Sequence, residues 1–375
     1  MPLSLKKFTA FASVLALVFL LACADKDFIK NAPKTTLNLN PTGISGNQLT
    51  PEEQLGKVLF YDKALSANHA ISCGSCHKQV FAFADNKEFS AGLEHLPTER
   101  NTPPLQNLGT FAIPLSQRAG PQQKLFWDGR AEGLHQAAVM PIFNHVEMGM
   151  DNTGELTQRI ASRPYYQPLF EAAYGNNNIS ISAVSSALAA FISRLQAHDT
   201  PFDRTLNQTF GSVINPDNPN NPKDRGLSLF FGKYNCGSCH ALQSPIGYNP
   251  TFNGPDREMV NIGLETEYAD AGRAAITGKA EDHGKFKIPN LRNVELTAPY
   301  MHDGRFETLD EVIEHYSSAV RNNPNLDVRL KSSGGMPLKL NITAQEKADL
   351  IAFLKSLTSS DLISNPLYAN PFVNQ

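Results

Sequence analysis

The chain has 375 residues, a net charge of −3 and no run of basic residues. This length is enough for two domains with substantial cores, and the charge balance excludes nucleic acid as an expected partner. The chain contains only five cysteines, and every one of them falls in a recognisable short motif.

The N-terminal residues have the pattern of an export signal. Lys6 and Lys7 precede an apolar run from Phe8 to Ala22, which is too short to span a membrane and is typical of a secretory signal. The run ends in Leu-Leu-Ala-Cys at 20–23, similar to a bacterial lipobox. We therefore expect residues 1–22 to be a lipoprotein signal peptide and Cys23 to carry a lipid that anchors the protein to a membrane in the periplasm. An ordinary signal peptide with an incidental Cys23 is the alternative.

Residues 23–49 are mostly polar and lack periodicity, which predicts a tether. The first globular element should be a helix beginning after Thr50, because Pro51 and Glu53 supply a first-turn proline and a capping-box acid.

The helix is followed by Cys73-Gly-Ser-Cys76-His77, and the same five residues recur as Cys236-Gly-Ser-Cys239-His240. Cys-x-x-Cys-His is the attachment site of c-type haem, in which two thiols bond to haem and the histidine ligates iron. A zinc ribbon built from both pairs would normally have them ~12–20 residues apart, and these pairs are much further apart. Two redox dithiols would leave both histidines unexplained.

The two halves repeat around these motifs. A Gly-x-x-x-Phe sequence precedes each motif, at 56–60 and 226–230, and each half ends in a predicted amphipathic helix. The apolar faces of these helices are formed by Val184, Leu188, Phe191, Ile192 and Leu195 in the first half and by Leu350, Ile351, Leu354 and Leu357 in the second, where Thr343 and Glu346 form a capping box. This pattern predicts a mainly α fold with two cytochrome c-like domains, at 50–205 and 206–375. The Pro- and Asn-rich segment 215–221 is predicted to be a linker or surface loop.

Several further segments are similar to those of the bacterial dihaem cytochrome c peroxidase/MauG family. The similarity extends from about Leu55 to Leu357, and it implies that the two domains join at an interface between their haems. The matching segments are Arg-Asn-Thr-Pro at 100–103, Phe-Trp-Asp-Gly-Arg-Ala at 126–131, Val-Glu-Met at 146–148, Leu-Arg-Asn at 291–293 and Thr-Ala-Pro-Tyr-Met-His-Asp-Gly at 297–304.

The resemblance implies that the N-terminal haem reacts with peroxide and that the C-terminal haem relays electrons, with His77 and His240 as proximal ligands. Trp127, the only tryptophan, would lie between the haems and carry electrons; a buried aromatic anchor is the alternative. Glu147 would be the distal acid that moves a proton between the peroxide oxygens. A solvated surface glutamate is the alternative for Glu147.

The resemblance also implies a calcium site and haem-propionate contacts. Asn101, Thr297 and Pro299 match the family's calcium ligands, which are oxygen atoms that include backbone carbonyls; the alternative is that they are turn residues. Arg130 and Arg292 could each pair with a haem propionate or form a structural salt bridge.

Two positions depart from the family pattern. Leu93 occupies the place where many members have a histidine that blocks the first haem, and the nearby His95 could substitute for it. Ala137 stands where a distal-pocket glutamine is common, and Gln136 is one residue short of that position.

The sixth ligand of the second haem is a methionine or a tyrosine in this family, and Tyr316 has the corresponding spacing. Thr308 and Glu311 form a capping box, and the i, i+3, i+4, i+7 spacing places Tyr316 on a buried helix face with Leu309, Val312 and Ile313. If Tyr316 is only a core residue, Met301 or Met336 would be the candidate ligand.

The resemblance implies an enzyme that reduces hydrogen peroxide to water with electrons from a small donor protein, such as a monohaem cytochrome c or a cupredoxin. It also allows a homodimer. The alternatives are a MauG-like oxidase of a protein side chain and a non-catalytic dihaem electron carrier.

Overall fold

The structure, a computed structural model, describes residues 36–37, 48–108, 124–208, 220–240 and 259–373. The predicted signal peptide, Cys23, most of the predicted tether and most of the predicted linker at 215–221 lie outside the described residues. Within the described ranges, no helix is long and apolar enough to cross a membrane.

Most of the regular structure is helical. Twelve helices are described: α1 (Pro51–Tyr61), α2 (Cys73–Cys76), α3 (Leu134–Val139), α4 (Thr153–Ala161), α5 (Tyr166–Tyr174), α6 (Ile181–Arg194), α7 (Pro201–Gln208), α8 (Pro222–Phe231), α9 (Ala274–Thr277), α10 (Leu309–Glu314), α11 (Ala344–Lys355) and α12 (Ser360–Ser364). A π-helix (His315–Ala319) continues α10, and several single 3₁₀ turns occur, one of them at Cys236–Ser238.

The strands are very short and form three antiparallel pairs: β1 (Thr36–Leu37) with β6 (Phe372–Val373), β2 (Lys124–Leu125) with β3 (Ala131–Glu132), and β4 (Met259–Val260) with β5 (Phe286–Lys287). Because β1 lies within residues 23–49, this part of the predicted tether pairs with the C-terminal end of the chain.

Each half is built on one helix crossing. In the first half α1 crosses α6 at Gly56, where an added Cβ would lie 1.9 Å from the carbonyl oxygen of Ala187. In the second half α8 crosses α11 at Gly226, where an added Cβ would lie 2.0 Å from the carbonyl oxygen of Asp349. Only glycine allows the helices to approach this closely, which explains why the Gly-x-x-x-Phe sequence occurs twice.

The phenylalanine of each repeat packs between the helix crossing and the histidine of the attachment motif. Phe60 packs against Phe191 at 5.3 Å between ring centroids, and Phe230 packs against Phe353 at 5.2 Å. The same rings lie 6.5 Å from His77 and 6.4 Å from His240, respectively. The two halves therefore use the same arrangement of helix, aromatic ring and histidine.

The chain does not divide cleanly at residue 206. Each half has its own hydrophobic core, called here the first and the second core. The predicted boundary falls inside α7, whose Phe202 packs in the second core. At the other end, α12 and the residues that follow it pack on the first core through Leu362, Leu367, Tyr368 and Phe372. The hydroxyl of Tyr61 donates a hydrogen bond to the Tyr368 carbonyl at 2.7 Å, so the C-terminal segment closes over the first half.

Candidate functional site

The two Cys-x-x-Cys-His motifs lie in separate cores, since Cys73 packs against the first and Cys236 against the second. The four described cysteines form no disulfide. Burial raises the pKa of Cys73 and of Cys236 to about 12 and that of Cys76 to about 11, so the thiols are protonated at neutral pH. Within the described ranges, no group of three or more His, Cys, Asp or Glu residues could hold a metal ion.

Burial also lowers the pKa of His77 and of His240 to about 4, so both imidazoles are neutral, as a metal ligand must be. Nδ1 of His77 hydrogen-bonds to the carbonyl oxygen of Phe83 at 2.8 Å, which leaves Nε2 as the ligating nitrogen. The backbone of Pro289 is close enough to His240 to raise its pKa against the effect of burial, but the buried Nδ1 of His240 makes no hydrogen bond with the described residues. Cysteines that form no disulfide beside a neutral histidine fit covalently attached haem in both motifs.

Glu147 lies beside the first attachment motif. Its charge contributes to the raised pKa of both Cys73 and Cys76, so the carboxyl group is within electrostatic reach of both thiols. The Asn144 side-chain amide donates to Glu147 Oε1 at 3.0 Å. Burial raises the pKa of Glu147, while the positive charge of Arg130 lowers it. The structure thus provides a half-buried, oriented carboxyl group of the kind that proton transfer requires.

Leu93 packs against the segment that carries Glu147. The Leu93 amide donates to the Val146 carbonyl at 2.7 Å, and an added Cβ on Gly149 would lie 2.6 Å from Leu93 Cδ2. His95 is exposed. The segment that begins at Leu93 therefore lies against residues 146–149, the segment that contains Glu147.

The residues near the expected glutamine position do not supply a second polar group next to Glu147. Gln136 is exposed, and its side-chain oxygen accepts a hydrogen bond from the Glu132 amide at 2.7 Å. Ala137 is half-buried in α3.

Trp127 joins the two halves. Its indole Nε1 donates to the Asn101 carbonyl at 2.8 Å, and its own carbonyl accepts from the Lys287 amide at 2.7 Å. The ring packs on a small cluster formed by Leu264, Tyr268 and Phe286 in the second half of the chain. The indole is thus held by one hydrogen bond and by apolar contacts, and the backbone of Trp127 is held by a second hydrogen bond.

A charged network surrounds Trp127. Arg100 pairs with Asp128 at 2.5 Å and with Asp270 at 2.6 Å, and Arg273 donates to the carbonyl oxygens of Asp128 and Gly129. Asp270 and Arg273 lie in the second half of the chain, so these bonds tie the Trp127 segment to both halves.

The two candidate propionate-binding arginines have different surroundings. Arg130 is half-buried, lies over the Phe126 ring at 3.9 Å and bonds Asp128 at 3.0 Å. Arg292 is fully buried and forms a bidentate pair with Asp203, with N–O distances of 2.6 and 2.7 Å. Of the two roles considered for Arg292, this geometry favours the structural salt bridge.

The three candidate calcium ligands occupy neighbouring segments. The Asn101 amide donates to the carbonyl of His302, three residues after Pro299. The Asn101 side-chain NH₂ donates to the carbonyls of Lys87 and Glu88 at 3.1 and 3.3 Å. Thr297 bonds the Val294 carbonyl through its hydroxyl, and Pro299 follows a cis peptide bond.

Tyr316 faces the second attachment motif. The charges of Cys239 and Cys236 add to the effect of burial in raising the pKa of Tyr316 well above its usual value. The predicted capping box at Thr308 and Glu311 is present, but α10 ends at Glu314 and Tyr316 belongs to the π-helix that follows. The expected unbroken helical face is therefore wrong at its C-terminal end, although Tyr316 still points inward. The alternative ligand Met336 is 58% exposed.

Two groups of contacts were not anticipated from the sequence. The first is the contact of Asn144 with Glu147. Asn144 could have been recognised from the sequence as a turn residue, because an asparagine side chain commonly bonds the backbone two residues later, and Asn144 Oδ1 accepts a hydrogen bond from the Val146 amide at 2.8 Å. The pair of Arg100 and Asp270 is separated by 170 residues, and no local pattern could connect them.

Comparisons with known proteins agree with this arrangement. The family described as di-haem cytochrome c peroxidase matches residues 50–210. Methylamine utilization protein MauG of Methylorubrum extorquens is 33% identical over 316 residues, covering 83% of this chain and 79% of the relative. Cytochrome c551 peroxidase of Nitrosomonas europaea is 32% identical over 317 residues, covering 83% of this chain and 82% of the relative.

A solved structure of a MauG-like protein associated with microbial copper homeostasis superposes with a TM-score of 0.69 at 32% identity, covering 91% of this chain and 98% of that one. The mainly α fold with two cytochrome c-like domains is confirmed. The chain therefore belongs to the dihaem cytochrome c peroxidase/MauG family, whose members carry two c-type haems.

Proposed function

We propose that this protein is a periplasmic peroxidase that reduces hydrogen peroxide to water with electrons from a small redox protein. The observation that carries the proposal is the half-buried Glu147 carboxyl group, held by Asn144 within electrostatic reach of Cys73 and Cys76. When bound there through Cys73, Cys76 and His77, haem supplies the iron that exchanges electrons with peroxide.

The residues of the pocket bind peroxide and move its protons. Glu147 takes a proton from one peroxide oxygen and returns it to the other, which assists cleavage of the bond between them. The hydrogen bond from Asn144 fixes Glu147 Oε1, so Oε2 is the oxygen that exchanges the proton. The aliphatic Leu93, which packs against the segment that carries Glu147, would supply no ligand to the iron.

Electrons would enter through the second half of the chain, where Cys236, Cys239 and His240 would hold the relay haem and the Tyr316 hydroxyl would supply a further ligand to its iron. Trp127, fixed between the halves, carries them to the peroxide site. A monohaem cytochrome c or a cupredoxin is the proposed donor. The lipid on Cys23, which lies outside the described residues, would anchor the protein to a membrane.

Two binding sites and one assembly state complete the proposal. Asn101, Thr297 and Pro299 would supply oxygen ligands to a calcium ion between the halves, where the bond between Asn101 and His302 joins the two segments. Arg130 would pair with a propionate of the first haem, and Arg292 remains a weaker candidate because Asp203 already engages it. The proposal is compatible with a homodimer.

A MauG-like oxidase of a protein side chain is the second candidate. It is favoured by the inward position of Tyr316 beside the second motif, because a phenolate ligand lowers the potential of the relay haem and favours its oxidised states.

The first prediction tests the peroxide site directly. Because Leu93 has no ligating atom, the oxidised protein is expected to contain a high-spin His77 haem that is five-coordinate or water-bound and reacts with peroxide without prior reduction. Electron paramagnetic resonance and absorption spectra with and without peroxide measure this. Leu93→His should convert that haem to low spin, and the exposed His95→Ala should change nothing.

Low-spin signals from both haems in the wild-type protein would contradict this prediction. If the wild-type protein also fails to react with peroxide, the electron-carrier interpretation is correct.

The second prediction concerns the relay. Tyr316→Phe should leave both haems attached, alter the spectrum of the His240 haem and raise its reduction potential, since an anionic ligand is lost. Spectroelectrochemistry measures the shift. Tyr268→Phe is the matched control, because Tyr268 is also buried nearby but donates no ligand in this proposal. An unchanged potential in Tyr316→Phe would make Tyr316 a packing residue.

The third prediction tests whether Trp127 transfers electrons between the haems or only anchors the two halves of the chain. Trp127→Phe keeps an aromatic ring but loses the bond to the Asn101 carbonyl. Peroxide should still oxidise the first haem at the normal rate, which serves as an internal control, while oxidation of the second haem slows in rapid-mixing experiments. If the second haem reacts as fast as in the wild-type protein, Trp127 is only a structural anchor.

A further inference from the structure

A buried carboxylate in the first half binds two tyrosines at once. Asp62 ends α1 and is fully buried. Its Oδ2 accepts hydrogen bonds from the hydroxyls of Tyr165 and Tyr166, each at 2.7 Å, and its Oδ1 accepts from the Ala64 amide at 2.8 Å. Two phenols therefore share one buried carboxylate oxygen.

This cluster is connected to the first attachment motif through Tyr61, the residue before Asp62 in the chain. The ring of Tyr61, the residue before Asp62, covers Gly74, where an added Cβ would lie 2.5 Å from Tyr61 Cδ1. Tyr166 is fully buried, whereas Tyr165 is half-buried, and their rings are 4.8 Å apart. The tyrosine pair thus extends from a fully buried ring to a half-buried one.

The second half has the same scaffold without this cluster. There Phe231 covers Gly237, with an added Cβ 2.4 Å from Phe231 Cδ1, and the next residue is Gly232. The haem-binding scaffold consequently does not require a tyrosine followed by an aspartate. The cluster is present only in the half that the proposed function assigns to peroxide.

We propose that Tyr165, Tyr166 and Asp62 form an internal redox site that supplies an electron to the peroxide reaction when no external donor is available. In this step peroxide is the oxidant. Reduction of peroxide to water takes two electrons: one phenol would supply one of them through the first haem, with its proton moving to Asp62 Oδ2, and the haem iron would supply the other. An external one-electron reductant acting at Tyr165 later restores the phenol, and Asp62 returns the proton. This inference rests on the proposed peroxidase function.

The chemistry of the cluster suits such a step. Burial and the charge of Asp62 raise the pKa of both Tyr165 and Tyr166 far above their usual value, so both phenols are protonated at neutral pH and must lose a proton when they lose an electron. A hydrogen-bonded carboxylate at 2.7 Å accepts that proton with little rearrangement. Tyr61 is closer to the motif but donates only to a backbone carbonyl, which is a much weaker base.

The test uses the haem-loaded protein mixed with peroxide in the absence of a donor, frozen at increasing times and examined by electron paramagnetic resonance. The wild-type protein should show a tyrosyl radical. The double variant Tyr165→Phe/Tyr166→Phe should lose most of that signal and lose haem to bleaching after fewer turnovers. Tyr174→Phe is the matched control, because Tyr174 also bonds a carboxylate of the first half, Glu52, at 3.0 Å.

Asp62→Asn keeps both tyrosines and removes the proton acceptor, so it should also lose most of the radical signal. The initial rate of peroxide consumption with excess donor should stay normal in the double tyrosine variant. A full radical signal in the folded double variant, or in Asp62→Asn, would overturn the inference. A wild-type protein that consumes peroxide with donor but forms no tyrosyl radical would overturn only this inference, whereas one that does not react with peroxide would overturn the proposed function as well.

Discussion

Glu147→Gln is expected to slow peroxide turnover by at least ~100-fold, because general acid–base assistance is typically worth ~100- to 10,000-fold. Glutamine keeps the shape of the side chain and can still bond Asn144, but it cannot accept a proton. Haem content, spin state and reduction by small donors should stay normal. Stopped-flow measurement of the peroxide reaction gives the rate of the chemical step.

The pH dependence should follow the same residue. Because burial raises the pKa of Glu147, the wild-type rate should fall as the pH drops through that raised value and the carboxylate becomes protonated. Glu147→Gln should lack this decline. The exposed Glu94→Gln is the matched control from the neighbouring turn. A wild-type rate in Glu147→Gln would reject Glu147 as the proton-transfer group.

Asp203→Asn is expected to destabilise the protein by roughly 3–5 kcal/mol, because it removes the carboxylate that forms a bidentate pair with the fully buried Arg292. The measurement is the urea midpoint of the haem-loaded protein, followed by far-UV circular dichroism. The double change Asp203→Leu/Arg292→Met should recover a large part of the loss, since an apolar pair of similar volume removes the buried charge as well.

The control for Asp203→Asn is Asp349→Asn. Asp349 forms a bidentate pair with Arg225 at 2.6 and 2.8 Å, but the Arg225 side chain is 31% exposed. Water can solvate that arginine once its partner is neutral, so the loss should be smaller. Equal losses in the two variants would indicate that burial of Arg292 is not the dominant factor.

The sequence by itself determined the features that depend on residues close together in the chain. The capping boxes at Thr50, Thr308 and Thr343 are all confirmed, because both partners of such a box lie within one helical turn. The predicted apolar face of α6 is buried in the first core, because helical periodicity alone decides which residues share a face. The two attachment motifs can be recognised from the sequence alone, because in each of them five adjacent residues contain both thiols and the histidine.

Only the tertiary structure decided the features that join distant segments. The Arg292–Asp203 pair, the network of Arg100 with Asp128 and Asp270, and the packing of α12 on the first core each connect residues far apart in the chain. A charged side chain has the same sequence signature whether it meets a propionate, a carboxylate or water, so its partner is known only once the fold brings one within reach. The same applies to Tyr165 and Tyr166. Their neighbouring positions are visible in the sequence, but the buried carboxylate that they share comes from the end of α1, about a hundred residues earlier.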